Sequence, residues 1–174
     1  MAGPTIPLSP PDVEGRLRAR FGDDIVEFAD QFGHAVAVVS VDRYREVVSF
    51  CRDEPELDCD YLEFVGGVDR QDEGFEVVTH LFSTRHRHNV RLKVRLPADG
   101  ASCPSIHDLY PGANWHERET MEMFGIDFTG HPQAVKLLLP EPFEGYPLRK
   151  DFVLMSRVAK PWPGEAEGEE GEEE

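Results

Sequence analysis

One eight-residue stretch leaves this chain little freedom. In NVRLKVRL, residues 89–96, Val90, Leu92, Val94 and Leu96 alternate with Arg91, Lys93 and Arg95. Successive strand side chains point to opposite faces, so this pattern demands a sheet with one apolar and one polar face. The preceding run, GFEVVTHLFS, has the same β-forming texture, and TRHRH falls between the two. A hairpin is therefore expected, with a core covering its apolar side.

The residues before it supply that cover. In SPPDVEGRLRARF, Ser9 is placed to cap a helix with proline in its first turn, and Val13, Leu17 and Phe21 form one apolar stripe. His34 to Val41, HAVAVVSV, reads as a buried strand. A second helix is expected over DRYREVVSFC, capped by Asp42, with Tyr44, Val47, Val48 and Cys51 on one face. Tyr61 to Asp69, YLEFVGGVD, reads as another strand. The order is then helix, strand, helix, strand, strand, strand. This predicts an α+β domain over residues 1–109, a mostly antiparallel sheet with helices on one face. Residues 110–152 are expected to form a short capped helix and an extended arm, because four prolines between Pro132 and Pro147 oppose regular structure. Residues 153–174 should be a C-terminal segment with a disordered acidic tail.

Charge narrows the partners. The net charge is −16, and the final ten residues, EAEGEEGEEE, carry seven of the negative charges. An acidic chain without aromatic residues interleaved among its cations is no nucleic-acid binder. Arg91, Lys93 and Arg95 therefore pair with the chain's own carboxylates or with an acidic partner. No apolar run reaches the roughly 18–20 residues of a membrane span. MAGPTIPLSPPDVEG lacks a basic start and an apolar signal core, so the chain is expected to stay where it is made. Cys51, Cys59 and Cys103 show no CxxC-type spacing and read as reduced structural thiols.

NWHERETMEMFGIDFTGHP, residues 114–132, concentrates ionisable groups. HERET begins like a zinc-protease helix, but Thr120 stands where the second histidine must be. His86 and His88 add two imidazoles near the hairpin turn without an evident third ligand. Glu117, Glu119 and Glu122 are close in sequence, yet acid–base work needs a substrate pocket and a raised carboxyl pKa. The spacing suits a helix better. Asn114 and Glu117 fit a capping box, and Gly125 fits a left-handed terminator followed by apolar Ile126. On the helical wheel, Glu117 falls among Thr120, Met121, Met123 and Phe124, while Trp115 falls among Arg118, Glu119 and Glu122. The misplaced Glu117 calls for the cap or a buried arginine, and Trp115 for an interface or a neighbouring loop.

ERETMEMFGIDFTGHPQAVKLLLPEPFEGYPLRKDF resembles the signature of the 30 kDa subunit (C subunit) family of respiratory complex I, the proton-pumping NADH:quinone oxidoreductase. Glu117, Arg118, Glu119, Glu122, Met123, Phe124 and His131 match in register, as do Lys136 and YPLRKDF, Tyr146 to Phe152. Val135 departs, standing where the family usually has a basic residue or proline. The resemblance implies an α+β subunit that holds no flavin, iron–sulfur cluster or metal. FMN, iron–sulfur clusters and quinone would sit on other subunits. It implies packing in the peripheral arm on the forty-nine-kilodalton quinone-site subunit, near iron–sulfur subunits, on the cytoplasmic side of a bacterial inner membrane. The residues expected at that interface are Trp115, Glu117, Arg118, Glu119, Glu122, Phe124, His131, Lys136, Tyr146, Arg149, Lys150 and Asp151. A related branch serves membrane-bound hydrogenases and other quinone-reducing complexes. The alternatives from other classes are a free-standing metal enzyme using His86, His88, His116 and Glu117, and a dedicated assembly factor.

Overall fold

The structure, a computed structural model, describes residues 7–153. Its sheet grows outward from the expected hairpin. Strands β4 (Phe75–Phe82) and β5 (Asn89–Leu96) pair antiparallel, with Val77 opposite Val94 and Leu81 opposite Val90. The core face carries Val77, Leu81, Val90, Leu92, Val94 and Leu96, all buried. Strand β3 (Tyr61–Asp69) pairs antiparallel with β4, and β2 (His34–Val39) runs parallel to β5. The sequence order helix, strand, helix misses one strand. Ile25–Gln31 forms β1, paired antiparallel with β2 at the sheet edge, giving the order β1-β2-β5-β4-β3. Most of its residues face solvent, so neither an apolar run nor strict alternation marks it.

Helix α1 (Pro10–Phe21) packs over β1 and β2 and buries Val13, Leu17 and Phe21. The Ser9 N–H donates to Asp12 Oδ2 at 3.1 Å. Helix α2 (Tyr44–Asp53) buries Tyr44, Val47, Val48 and Cys51, the expected face. Asp42 does not cap it. A short 3-10 turn, Val41–Arg43, runs directly into the helix, so Asp42 lies within the turn and the cap position falls on Arg43. Tyr44 also crosses the core, its hydroxyl 2.7 Å from Thr79 Oγ1 on β4.

The opposite sheet face resolves the reading of the basic strand. Lys93 lies 3.2 Å from Glu76, which is 3% exposed and also meets Arg70 at 3.3 Å. Arg95 grips Glu27 on β1 with two hydrogen bonds of 2.7 and 2.6 Å. Two of the three cations thus pair with the chain's own acids.

Strands β6 (Ser102–Pro104) and β7 (Asp127–Thr129) form a small parallel pair. Between them, α3 (Ala113–Phe124) packs along β3 at the other end of the large sheet. The approach is close: a Cβ on Gly67 would lie 2.7 Å from Phe124 Cδ2 and 3.0 Å from its Cγ. Gly67→Ala is therefore expected to cost about 1–3 kcal/mol in denaturant unfolding, because the base of the Phe124 ring must move. Gly15→Ala is the control. It lies within α1 with nothing within 4 Å of the added methyl and should stabilise by about 0.5–1 kcal/mol.

Candidate functional site

Helix α3 starts two residues earlier than a cap at Asn114 requires. Gly112 occupies the cap position and Asn114 lies inside the first turn, with Ala113 N–H bonded to Tyr110 O. Glu117 is then a full turn into the helix, so the expected capping box does not form. The alternative expected for it, a buried arginine, does not form either. Its Oε1 accepts the Ile106 N–H at 2.7 Å and its Oε2 accepts the Ser105 hydroxyl. The carboxylate caps a separate loop, residues 105–110, rather than its own helix.

That loop is held from two sides. Arg45 of α2 grips Asp108 with two 2.5 Å hydrogen bonds and donates to Ser105 O at 2.9 Å. The guanidinium brings the Asp108 carboxyl down to about 2. Tyr110 donates its hydroxyl to Cys59 O at 2.5 Å. Glu117 is fully buried. Burial pushes its pKa up, against the pull of Ser105 and Ile106 in the other direction. Ser105 also sits 3.0 Å from His107 Nδ1, a grouping that superficially resembles a nucleophile with its base. Ser105 is 3% exposed and its hydroxyl hydrogen is directed at Glu117, so no substrate reaches it.

His131 closes the other side of this cluster. Its buried ring lies 3.9 Å from Glu117 Oε2, with Nε2 3.2 Å from Asn114 O and Nδ1 accepting the Gln133 N–H at 3.0 Å. These bonds fix an Nε2–H tautomer. The chain then continues into the arm without regular secondary structure, as its prolines predict.

Glu122 corrects its wheel position. It falls on the charged arc, yet it is 6% exposed because the arm lies across it. Its two oxygens accept the backbone N–H groups of Leu137 and Leu138 at 2.8 Å and Leu139 at 3.4 Å. Arg118 clasps the same segment from its carbonyl side, donating to Val135 O at 3.0 Å and Lys136 O at 2.9 Å. The atypical Val135 is thus used through its backbone, and its side chain is exposed. Lys136 turns back on the arm and donates to Glu141 O and Phe143 O at 3.1 and 2.8 Å.

The end of α3 is tied in the same way. Gly125 adopts the left-handed conformation (φ 72°) and its N–H bonds Met121 O, as the terminator requires. Arg149 donates to Phe124 O at 2.6 Å, with its guanidinium over the rings of Tyr146 and Phe75. A side chain at Gly125 would strike both Arg149 and Tyr146. Lys150 contributes its backbone N–H to Asp69, and that hydrogen bond lowers the Asp69 pKa. Asp151 lines an open cavity of about 430 Å³ with Asp69, Asp72, Arg149 and Lys150. Glu119 and Phe124 line an apolar groove with Phe64, Met123 and Leu148. Trp115 is 68% exposed, on the outer arc as expected.

The structure does not assemble the metal enzyme. His86 bonds Pro55 O at 2.9 Å, His88 is buried beside it, and His116 lies edge-on to Phe64. Among the described residues, no group of three or more His, Cys, Asp or Glu is placed to hold a metal. The three thiols are buried, and burial pushes Cys59 up to about 12 and Cys51 and Cys103 up as well. Sequence reasoning missed Ser105 and Ile106, because a helix carboxylate can reach any adjacent loop and spacing alone does not say which.

Residues 37–158 match the family described as the respiratory-chain NADH dehydrogenase 30 Kd subunit. The chain belongs to that family. It is 45% identical over 149 residues to the C subunit of NADH-quinone oxidoreductase from Roseiflexus castenholzii, covering 84% of this chain and 86% of that one. It is 40% identical over 154 residues to a C subunit of the same enzyme from Rhizobium etli, covering 87% and 82%. A trypsin-resistant fragment of Nqo5 shares the fold at TM-score 0.60 and 26% identity, covering 70% of this chain and 96% of the fragment. A chain of the membrane-bound sulfane sulfur reductase, an archaeal respiratory membrane complex, shares it at TM-score 0.65 and 23% identity, covering 83% and 86%. Within that family, then, the signature residues of this chain serve first to fasten an irregular arm to a helix.

The buried Glu117 generates a pH prediction. Its pKa is higher in the folded state, so the folded chain loses stability as pH rises from about 4.5 until the carboxyl has ionised. Glutamine keeps an acceptor for Ile106 and never ionises. Glu117→Gln should match the wild-type melting temperature near pH 4 and exceed it at pH 7–8. Glu117→Ala leaves the Ile106 N–H unpaired and should cost about 3 kcal/mol near pH 4, a difference that narrows as pH rises and the wild-type carboxyl loses its advantage.

Proposed function

We propose that this chain is a non-catalytic structural subunit of the peripheral arm of a proton-pumping NADH:quinone oxidoreductase, docked on the quinone-site subunit through α3 and the arm. FMN, the iron–sulfur clusters and quinone are then carried by neighbouring subunits, and the complex lies on the cytoplasmic side of the membrane. Family membership supplies the complex. Among the described residues, no helix is long and apolar enough to cross a membrane. One observation carries the docking face. Most polar groups of the signature are spent inside the chain, while apolar ones are turned outward. Trp115, Val135, Leu138 and Leu148 are 68%, 53%, 60% and 53% exposed on α3 and the arm. Apolar and aromatic anchors at the centre of a patch with polar groups around them are how subunit interfaces gain affinity.

An equivalent place in another respiratory complex is the second reading, supported by the fold shared with the sulfane sulfur reductase chain. The 45% identity to a C subunit of NADH-quinone oxidoreductase favours the NADH-linked complex.

The test is assembly. Trp115→Ala combined with Leu138→Ala should leave the melting temperature of the isolated chain nearly unchanged, since surface substitutions typically act within about 0.5 kcal/mol. The same variant should no longer copurify with the complex. A photo-crosslinking residue in place of Trp115 should link to the quinone-site subunit. Normal assembly of the double variant, or crosslinking only to other subunits, contradicts the docking face.

A further inference from the structure

The β1–β2 hairpin carries a second, separate anomaly. Gln31 pairs with His34, leaving a two-residue turn, Phe32–Gly33. Both turn residues have positive φ, 57° and 83°, the type I′ arrangement that suits the strand twist. Asparagine or aspartate normally fills the first position, because a short polar side chain tolerates the left-handed region. A bulky aromatic there is an outlier. Among the described residues Phe32 gains nothing in exchange: it is 101% exposed. One exposed apolar residue on a protein surface needs no explanation. One that also strains its own turn does, because asparagine at that position removes both costs.

We propose that Phe32 is a docking pin, seated in an apolar socket with a basic rim on another subunit of the complex. It is distinct from the α3–arm face. The proposal rests on reading the chain as a subunit, but not on which subunit the arm meets. The rim follows from charge. Asp30, two residues before Phe32 on the same hairpin, uses Oδ1 to accept the Gly33 N–H at 2.8 Å and is exposed. Its charge and the net charge of −16 disfavour an anionic lipid surface as the receiver. They equally disfavour a second copy of this chain, whose hairpin would bring the same charge. A cation at the edge of a protein socket satisfies both the ring and the carboxylate.

The experiment compares the isolated chain with its retention in the complex, purified through a tag on another subunit. Phe32→Asn should hold or raise the melting temperature of the isolated chain by a few degrees. The same change should lower its retention on the order of tenfold, as loss of an interface anchor does. Phe32→Trp should keep retention near wild type. Asp30→Asn preserves the Oδ1 acceptor and removes the charge, so it should weaken retention most at low salt. The pin is overturned if Phe32→Asn is retained like wild type, or if it lowers the melting temperature, which would show that the ring supports its own fold. Unchanged retention of Asp30→Asn overturns the basic rim. Loss of the Trp115/Leu138 double variant with full retention of Phe32→Asn rejects the pin alone. Failure of the wild-type chain to copurify rejects the subunit reading itself.

Discussion

Two buried carboxylates on one helix organise the C-terminal half of this protein, and both end on neutral donors, mostly backbone amides, rather than on cations. Glu117 reaches inward to Ser105 and Ile106, and Glu122 reaches outward to Leu137, Leu138 and Leu139. For Glu122, which holds the arm, the magnitudes explain why an acid is needed. Ordering a residue costs about 1–2 kcal/mol of backbone entropy, and the arm lacks the ladder of a helix or strand to offset it. A neutral hydrogen bond contributes only about 1 kcal/mol, whereas one to a charged group contributes about 1.5–3 kcal/mol. A carboxylate with several amides can hold an irregular segment where a serine or asparagine would not. Arg118, Lys136 and Arg149 do the converse for carbonyl groups.

This division of labour gives the family signature a physical meaning. Glu117, Arg118, Glu122, His131, Lys136 and Arg149 make one clasp, which fixes both the arm and the 105–110 loop to α3. The apolar side chains left outside, Trp115, Val135, Leu138 and Leu148, are thereby presented from a preorganised surface. Preorganisation lowers the cost of association, since the arm need not be ordered at the moment of binding. In the proposed function, the chain supplies shape rather than chemistry.

Much of the fold was legible because period and punctuation agreed. The alternation in residues 89–96, the stripes of α1 and α2, the span of β3 and the Gly125 terminator all depend on local geometry alone. The edge strand β1 was not, because a strand exposed on most positions carries no periodic signal and its turn is Phe-Gly rather than Asn-Gly. Asp42 and Asn114 had the right chemistry for caps but stood one or two residues from the true helix starts, which the neighbouring turns decide. Glu117 was visible as misplaced on the wheel. Its partners were not, because Ser105 and Ile106 meet it only through tertiary packing. The wheel also put Glu122 outside, correctly for an isolated helix, and the arm then covered it.

The central claim is that Glu122 holds the arm in place on the chain itself, before any partner binds. Hydrogen–deuterium exchange of the isolated protein at the amides of Leu137, Leu138 and Leu139 tests it most directly. The account predicts slow exchange in the wild type and near-unprotected exchange in Glu122→Ala, with β4 and β5 amides unaffected. Free exchange at these three amides in the wild type, or protection that survives loss of the carboxylate, would contradict it.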